Sequence, residues 1–167
     1  MPEREVIVDK LRLTYEGIFS VPELYTMIDE WFREKGYDKK EYKNIEIVKP
    51  EGKQMELLLE PWKKITDYAK NIIKIRIIMT DVKDVEVEKD HTKLKLNQGK
   101  VQFVFDAFLE TDYESRWEGK PIFYFIRTVF DKYFYKPFTA GFKTGVKADL
   151  MDLHTRIKAF LNLYRMK

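Results

Sequence analysis

The chain has 167 residues, 44% of them hydrophobic and 35% charged, and its 31 basic and 28 acidic side chains leave a formal charge of +3. That length fits one domain over residues 1–167, able to bury roughly two-thirds of the unfolded chain's surface. Low glycine and proline (7 and 6) beside 25 aromatic residues exclude a disordered tether or a collagen-like repeat. No apolar run reaches the roughly 20 residues that span a bilayer, and nothing at Met1 resembles a signal peptide, so a cytoplasmic protein is expected.

Cysteine is absent, which removes disulfides, thiolate catalysis, Cys-ligated zinc and iron–sulfur clusters. Only His91 and His154 remain for imidazole chemistry, so neither a metal site nor a cofactor is expected. Sparse Asn and Gln beside abundant Lys, Glu, Ile and Tyr lean towards a thermophile composition.

Residues 5–19 alternate Leu11, Leu13 and Tyr15 with Lys10, Arg12 and Thr14, as a strand does. Ser20-Val21-Pro22-Glu23 then reads as a capping box, with Pro22 tolerated in the first turn. Leu24, Ile28, Trp31 and Phe32 line one face of the helix so opened, and Gly36 stops it, giving a helix over 21–35.

A strand-rich stretch follows from Tyr42 to Asp112. Pro50-Glu51-Gly52-Lys53 turns the chain between Ile45–Val48 and a strand at Met55–Glu60, which Pro61-Trp62-Lys63-Lys64 interrupts. Three turns are expected next: a loop at Asp81-Val82-Lys83 and tips at Asp90-His91 and Gln98-Gly99. Together they place Ile75, Ile77, Met79, Val85, Val87, Leu94, Leu96, Val101, Phe103 and Phe105 on one face. Lys74, Arg76, Glu86, Glu88, Lys93, Lys95 and Gln102 fall on the other, a solvated ladder with Glu88 opposite Lys93 and Glu86 opposite Lys95. Arg76 is expected opposite Glu88.

Two further helices are expected. One covers 121–136 between Pro121 and Pro137, and one covers 149–165, capped by Asp149 and apolar at Leu150, Leu153, Ile157, Leu161 and Tyr164. The fold class is thus α+β: a curved antiparallel sheet of about six to seven strands, packed on one face by C-terminal helices, with one helix inserted after the first strand.

No phosphate-binding glycine loop, GxSxG elbow or HExxH pair occurs. Asp106, Glu110 and Asp112 share one parity on the last strand, where a solvated ladder explains them better than paired acid–base work. His154 flanks the last helix's apolar stripe as a core histidine would, and His91 falls at a hairpin tip. Ten aromatics lie between Trp117 and Phe142, a density that suits a core, a ligand cavity or a stacking surface. Residues 116–167 carry 11 basic and 4 acidic groups against 20 and 24 in residues 1–115. That asymmetry suits either solubility or a polyanionic partner.

The order strand, capped helix, antiparallel meander, C-terminal helices resembles the helix-grip layout of the START-like superfamily. It differs in having one helix rather than a pair after the first strand, and two rather than one at the end. The resemblance implies a cavity between a curved sheet and the closing helix, in a carrier or sensor of apolar small molecules. A non-catalytic, lipid-like ligand pocket between sheet and C-terminal helices is therefore the leading expectation, with Tyr15, Trp31, Ile77, Phe103, Phe105 and Phe130 as its lining. The alternative is an adaptor that docks on a ribonucleoprotein, nucleic acid or anionic surface through Lys132, Lys136, Lys143 and Lys147.

Overall fold

The computed structural model describes residues 3–38, 41–111, 129 and 136–165. Strand β1 (Glu3–Phe19) leads into helix α1 (Val21–Lys35), followed by β2 (Glu41–Lys49), β3 (Gly52–Leu59), β4 (Trp62–Lys64), β5 (Ala69–Lys89) and β6 (Thr92–Thr111). Helix α2 (Lys136–Arg165) closes the chain. The six strands form one antiparallel sheet in the order β1-β6-β5-β3-β2, with β4 also pairing with β5.

Helix α1 begins and ends where its residues require. The Glu23 N–H donates to Ser20 Oγ at 3.3 Å, and Gly36 adopts a left-handed φ of 76° as the C-terminal cap. The Glu23 carboxylate reaches across to α2, where it accepts from the Tyr164 hydroxyl. Asn97 ties the start of α1 to the sheet: its Oδ1 accepts from the Val21 N–H at 3.0 Å.

The centre of the sheet is one long hairpin rather than the three turns expected. Asp90 and His91 form its tip, both with positive φ (50° and 62°), as a two-residue turn matched to strand twist demands. The expected pairs Val87–Leu94, Val85–Leu96, Glu88–Lys93 and Glu86–Lys95 are all present. Gln98-Gly99, however, is not a turn: β6 runs straight through it. Nor is Asp81-Val82-Lys83 a loop. Thr80 pairs with Lys100 and Lys83 with Gln98, so Asp81 and Val82 form a bulge opposite Gly99. Asp81 takes a φ of 56° there, and Val82 is buried. The glycine belongs to the bulge, because a Cβ on Gly99 would stand 3.0 Å from the Thr80 carbonyl oxygen and from Val82 Cα. On the opposite flank, a Cβ on Gly52 would stand 2.8 Å from the Asp81 carbonyl carbon.

This register corrects two other expectations. Arg76 lies opposite Val104, not Glu88. The bulge also reverses the parity of β5, so Val85, Val87, Leu94 and Leu96 share the face of Gln102 and Val104 rather than the core face. Their surroundings agree: Val101, Phe103 and Phe105 are fully buried, whereas Leu94 is 39% exposed and the other three are half-buried.

The core lies between the inner sheet face and the two helices. Ile73, Ile75, Ile77 and Met79 of β5, with Val101, Phe103, Phe105 and Ala107 of β6, meet Val146, Leu150, Leu153, Ile157 and Leu161 of α2. Leu24, Ile28, Trp31 and Phe32 of α1 complete the same cluster. Each such side chain, fully buried, contributes roughly 1.5–3 kcal/mol of apolar transfer.

Helix α2 starts thirteen residues before the expected 149, and Asp149 is an interior residue rather than its cap. Lys136 and Pro137 open it, since a proline costs little where its N–H would be unpaired. The helix expected over 121–136 lies outside the described residues, apart from Val129 and Lys136, both helical.

Gly99 and Gly145 offer a matched test. A methyl group on Gly145 meets open space on α2, so Gly145→Ala is expected to stabilise by about 0.5–1 kcal/mol. Gly99→Ala should instead destabilise by about 1–3 kcal/mol through overpacking against the bulge. Urea unfolding of both variants checks the pair; a neutral Gly99→Ala would contradict the bulge geometry.

Candidate functional site

The packed face of the sheet carries one polar residue at full burial. Along β5 the inward positions read Ala69, Asn71, Ile73, Ile75, Ile77 and Met79, and Asn71 is 3% exposed. Its Oδ1 has no hydrogen-bond partner among the described residues. Leaving a buried acceptor unpaired costs about 1–3 kcal/mol, so native structures seldom do it without a reason.

One nearby donor is committed elsewhere. The hydroxyl of Tyr37, just past α1, donates to Asp149 Oδ2 of α2 at 2.8 Å. Burial, then the Asp149 charge beside it, pushes the Tyr37 hydroxyl well above its ordinary pKa, so it keeps its proton. The neighbouring Asn71 side chain acts on Tyr37 in the opposite direction and more weakly, favouring the phenolate. Lys63 is opposite Asn71 on β4, and its Nζ stands 5.6 Å from the Tyr37 ring centroid. An amide, a phenol, a carboxylate and an ammonium therefore meet where β4, β5, the end of α1 and α2 converge.

One turn along α2, a second contact holds the helices. The Trp31 indole N–H donates to Asp152 Oδ2 at 2.8 Å, and Arg156 and Lys35 add ion pairs at 3.1 and 3.8 Å. The Trp31 bond is the largest cause holding the Asp152 carboxyl below its usual pKa of 3.8, followed by the two cations. Trp31 also stacks on Tyr37 with ring centroids 5.7 Å apart, which couples the two contacts.

Of the expected ligand-lining residues, Tyr15, Trp31, Ile77, Phe103 and Phe105 are brought together in the buried cluster, and Phe130 lies outside the described residues. Phe103 and Phe105 stack at 5.8 Å, and His154 meets Phe105 edge-on at 5.7 Å. A separate cleft of about 160 Å³ opens between α1 and the β2–β3 edge. Its floor is Ile28, Leu57 and Leu59, and its rim is Tyr25, Asp29, Glu41 and Asn44. That is smaller than the roughly 300–1,000 Å³ that drug-sized ligands occupy.

Of the candidate lysines, Lys143 and Lys147 are four residues apart and so neighbours on α2. Lys143 pairs with Glu5 at 2.8 Å, and Lys147 is exposed. Lys132 and the Lys136 side chain lie outside the described residues. The carboxylates of β6 have structural partners. Asp106 accepts from the Lys10 N–H at 2.8 Å, and buried Glu110 is clamped by Arg4 at 2.9 Å and Lys70 at 3.1 Å. Four residues apart on one strand, Asp106 and Glu110 are separated by roughly 13 Å, too far to share a proton. Asp112 lies outside the described residues, and His91 is exposed at the hairpin tip.

Among the described residues, no three His, Cys, Asp or Glu side chains converge on a metal position, and no helix is long and apolar enough to cross a membrane. Comparison with known protein families finds no match. Comparison with curated proteins finds none similar to the chain.

The Trp31–Asp152 bond has a signature in pH. A carboxyl whose folded pKa is lowered adds stability above its unfolded pKa and loses it as pH falls through the folded value. Trp31→Phe is therefore expected to destabilise most near neutral pH, with the gap from wild type narrowing below about pH 4. Urea midpoints of both proteins from neutral to acid pH check this; a gap independent of pH would contradict it.

Proposed function

We propose that this protein is a non-catalytic binding module that holds an apolar small molecule between the sheet and the C-terminal helix. One observation carries the reading: the buried acceptor of Asn71, on the inner sheet face opposite α2, has no hydrogen-bond donor among the described residues. A carrier or sensor needs an apolar interior with very few polar groups that fix its ligand's orientation. An inner face of Ile, Met, Phe and Ala interrupted by one asparagine has that composition. The strand order supports the same reading, because β1 lies beside the last strand and one long helix covers the apolar face, as in the helix-grip layout.

The second reading, a polyanion-docking adaptor, draws on the basic charge of residues 116–167. The Lys143–Glu5 pair already meets part of that charge within the chain. The ligand reading is therefore preferred.

Native mass spectrometry of the purified protein is expected to show a bound apolar molecule, or saturable one-to-one binding of an apolar fluorophore after delipidation. Asn71→Leu should leave the ligand-free protein within about 1 kcal/mol of wild type, because removing an unpaired acceptor offsets the loss of the Asn71 contact with Tyr37. A loss well beyond about 1.5 kcal/mol, more than that one contact accounts for, would show the oxygen bonded in the ligand-free state and contradict the reading. Absence of saturable apolar binding, together with salt-sensitive retention on an immobilised polyanion, would favour the adaptor.

A further inference from the structure

We infer that two copies of this chain pair through the outer edge of β2, joining their sheets in a two-fold antiparallel dimer centred on Ile45. The observation behind it is a regular sheet edge whose charges do not guard it. β2 ends the strand order, and from Lys43 to Lys49 it pairs with β3 without a register shift. Ile45, Ile47 and Val48 are 41%, 47% and 73% exposed there. The charged side chains of this stretch turn back onto β3 instead of standing over the open edge. Lys43 pairs with Glu56 at 2.9 Å, Glu46 with Lys53 at 3.4 Å, and Lys49 donates to Gln54 at 3.0 Å. An edge of this kind is a template for another strand.

The opposite edge of the sheet, β1, is blunted along its length. Register shifts interrupt it between Val6 and Leu11, with Lys10 at a φ of 51°. Further along, the Tyr15 hydroxyl donates to the Ile18 carbonyl at 2.8 Å and occupies that acceptor. A second copy therefore meets β2 with its own β2. A contact between identical patches closes as a dimer rather than growing into a fibre.

Backbone geometry and charge select the register. Lys49 and Gly52 flank the two-residue turn Pro50-Glu51 and so form a hydrogen-bonded pair. Alternation then turns the N–H and C=O groups of Asn44, Glu46 and Val48 towards the open edge. Centring the dimer on Ile45 sets Asn44 opposite the partner's Glu46, a pair able to exchange two backbone bonds, and opposes no like charges. Centring it on Glu46 would oppose the two Glu46 carboxylates and set Lys43 against the partner's Lys49. Centring it on Ile47 runs the strand into the partner's Pro50, and centring it on Asn44 runs into the register shift between Glu41 and Lys43. In the Ile45 register Val48 falls opposite position 42 of the partner, beside the cleft that the partner's Glu41 and Asn44 rim. The most exposed apolar side chain of the strand is thereby covered.

The chain has no cysteine, so a single-cysteine variant can form a disulfide only with another copy of itself. Sedimentation of the wild type is expected to give twice the chain mass. Ile45→Cys should cross-link under mild oxidation, since directly opposed residues of a non-hydrogen-bonded pair have Cα atoms about 4.5 Å apart. Ile47→Cys should stay reduced, its two copies being separated by roughly 13 Å along the strands. Ile45→Lys should keep the far-UV circular dichroism of the wild type. It should raise the dimer dissociation constant at least about tenfold, by opposing two ammonium groups at the axis.

A wild-type monomer throughout the micromolar range would overturn the proposal. Protection of the Asn44, Glu46 and Val48 amides from hydrogen exchange in that monomer would give the edge to another part of the chain. A dimer that cross-links through Ile47→Cys and not Ile45→Cys, or that survives Ile45→Lys, would place the contact elsewhere and overturn it too.

Discussion

The structure is organised around the bulge at Asp81 and Val82. It lies in the middle of a hairpin that runs from Ala69 to Thr111, and every other strand but β2 pairs directly with one arm of that hairpin. Two strands in unbroken alternation would carry one apolar face from Ala69 to the tip. The bulge reverses that parity, so the face that packs against α1 and α2 ends at Met79 and Val101, and the ribbon beyond turns its apolar side the other way. Glycines on both flanking strands, Gly52 and Gly99, leave room for it. The sheet therefore depends on a local backbone irregularity held by the absence of two side chains.

The helices are fixed to this sheet by a few polar contacts set into a large apolar surface. Asn97 caps the start of α1 from β6. Asp149 and Asp152, three residues apart and so neighbours on α2, take donors from Tyr37 and Trp31. These contacts fix how α1 and α2 lie on the sheet, and Asn71 lies beneath them. The site is thus built on rigid elements rather than loops, which suits a role in orienting a ligand.

Much of this was legible in the residues. The capping box and Gly36 bounded α1, and the opposite-charge pairs fixed the register at the Asp90-His91 tip. Gln98-Gly99 reads as a turn because a glycine opposite a bulge looks, in one dimension, like a glycine in a turn; only the partner strand distinguishes them. Asp149 followed by Leu150 resembles a helix start, yet Lys136–Ala148 is also helical, since Gly141 and Gly145 weaken a helix without ending it. The polar residue of the candidate site was within reach: extending the alternation from Ile75 back through Ile73 arrives at Asn71. That its oxygen has no partner among the described residues was not, because that depends on Tyr37 being committed to a carboxylate 112 residues away.

The continuous ladder between β5 and β6 is open to a direct test, because the chain contains no cysteine. Residues directly opposed on antiparallel strands have Cα atoms about 4.5–5.5 Å apart, within reach of a disulfide. Arg76→Cys paired with Val104→Cys is therefore predicted to cross-link under mild oxidation in the native protein. Arg76→Cys paired with Glu88→Cys should stay reduced, since the two positions lie roughly 40 Å apart along one strand. Cross-linking of the second pair and not the first would restore the three-turn register, and with it a sheet in which Val85, Val87, Leu94 and Leu96 belong to the core.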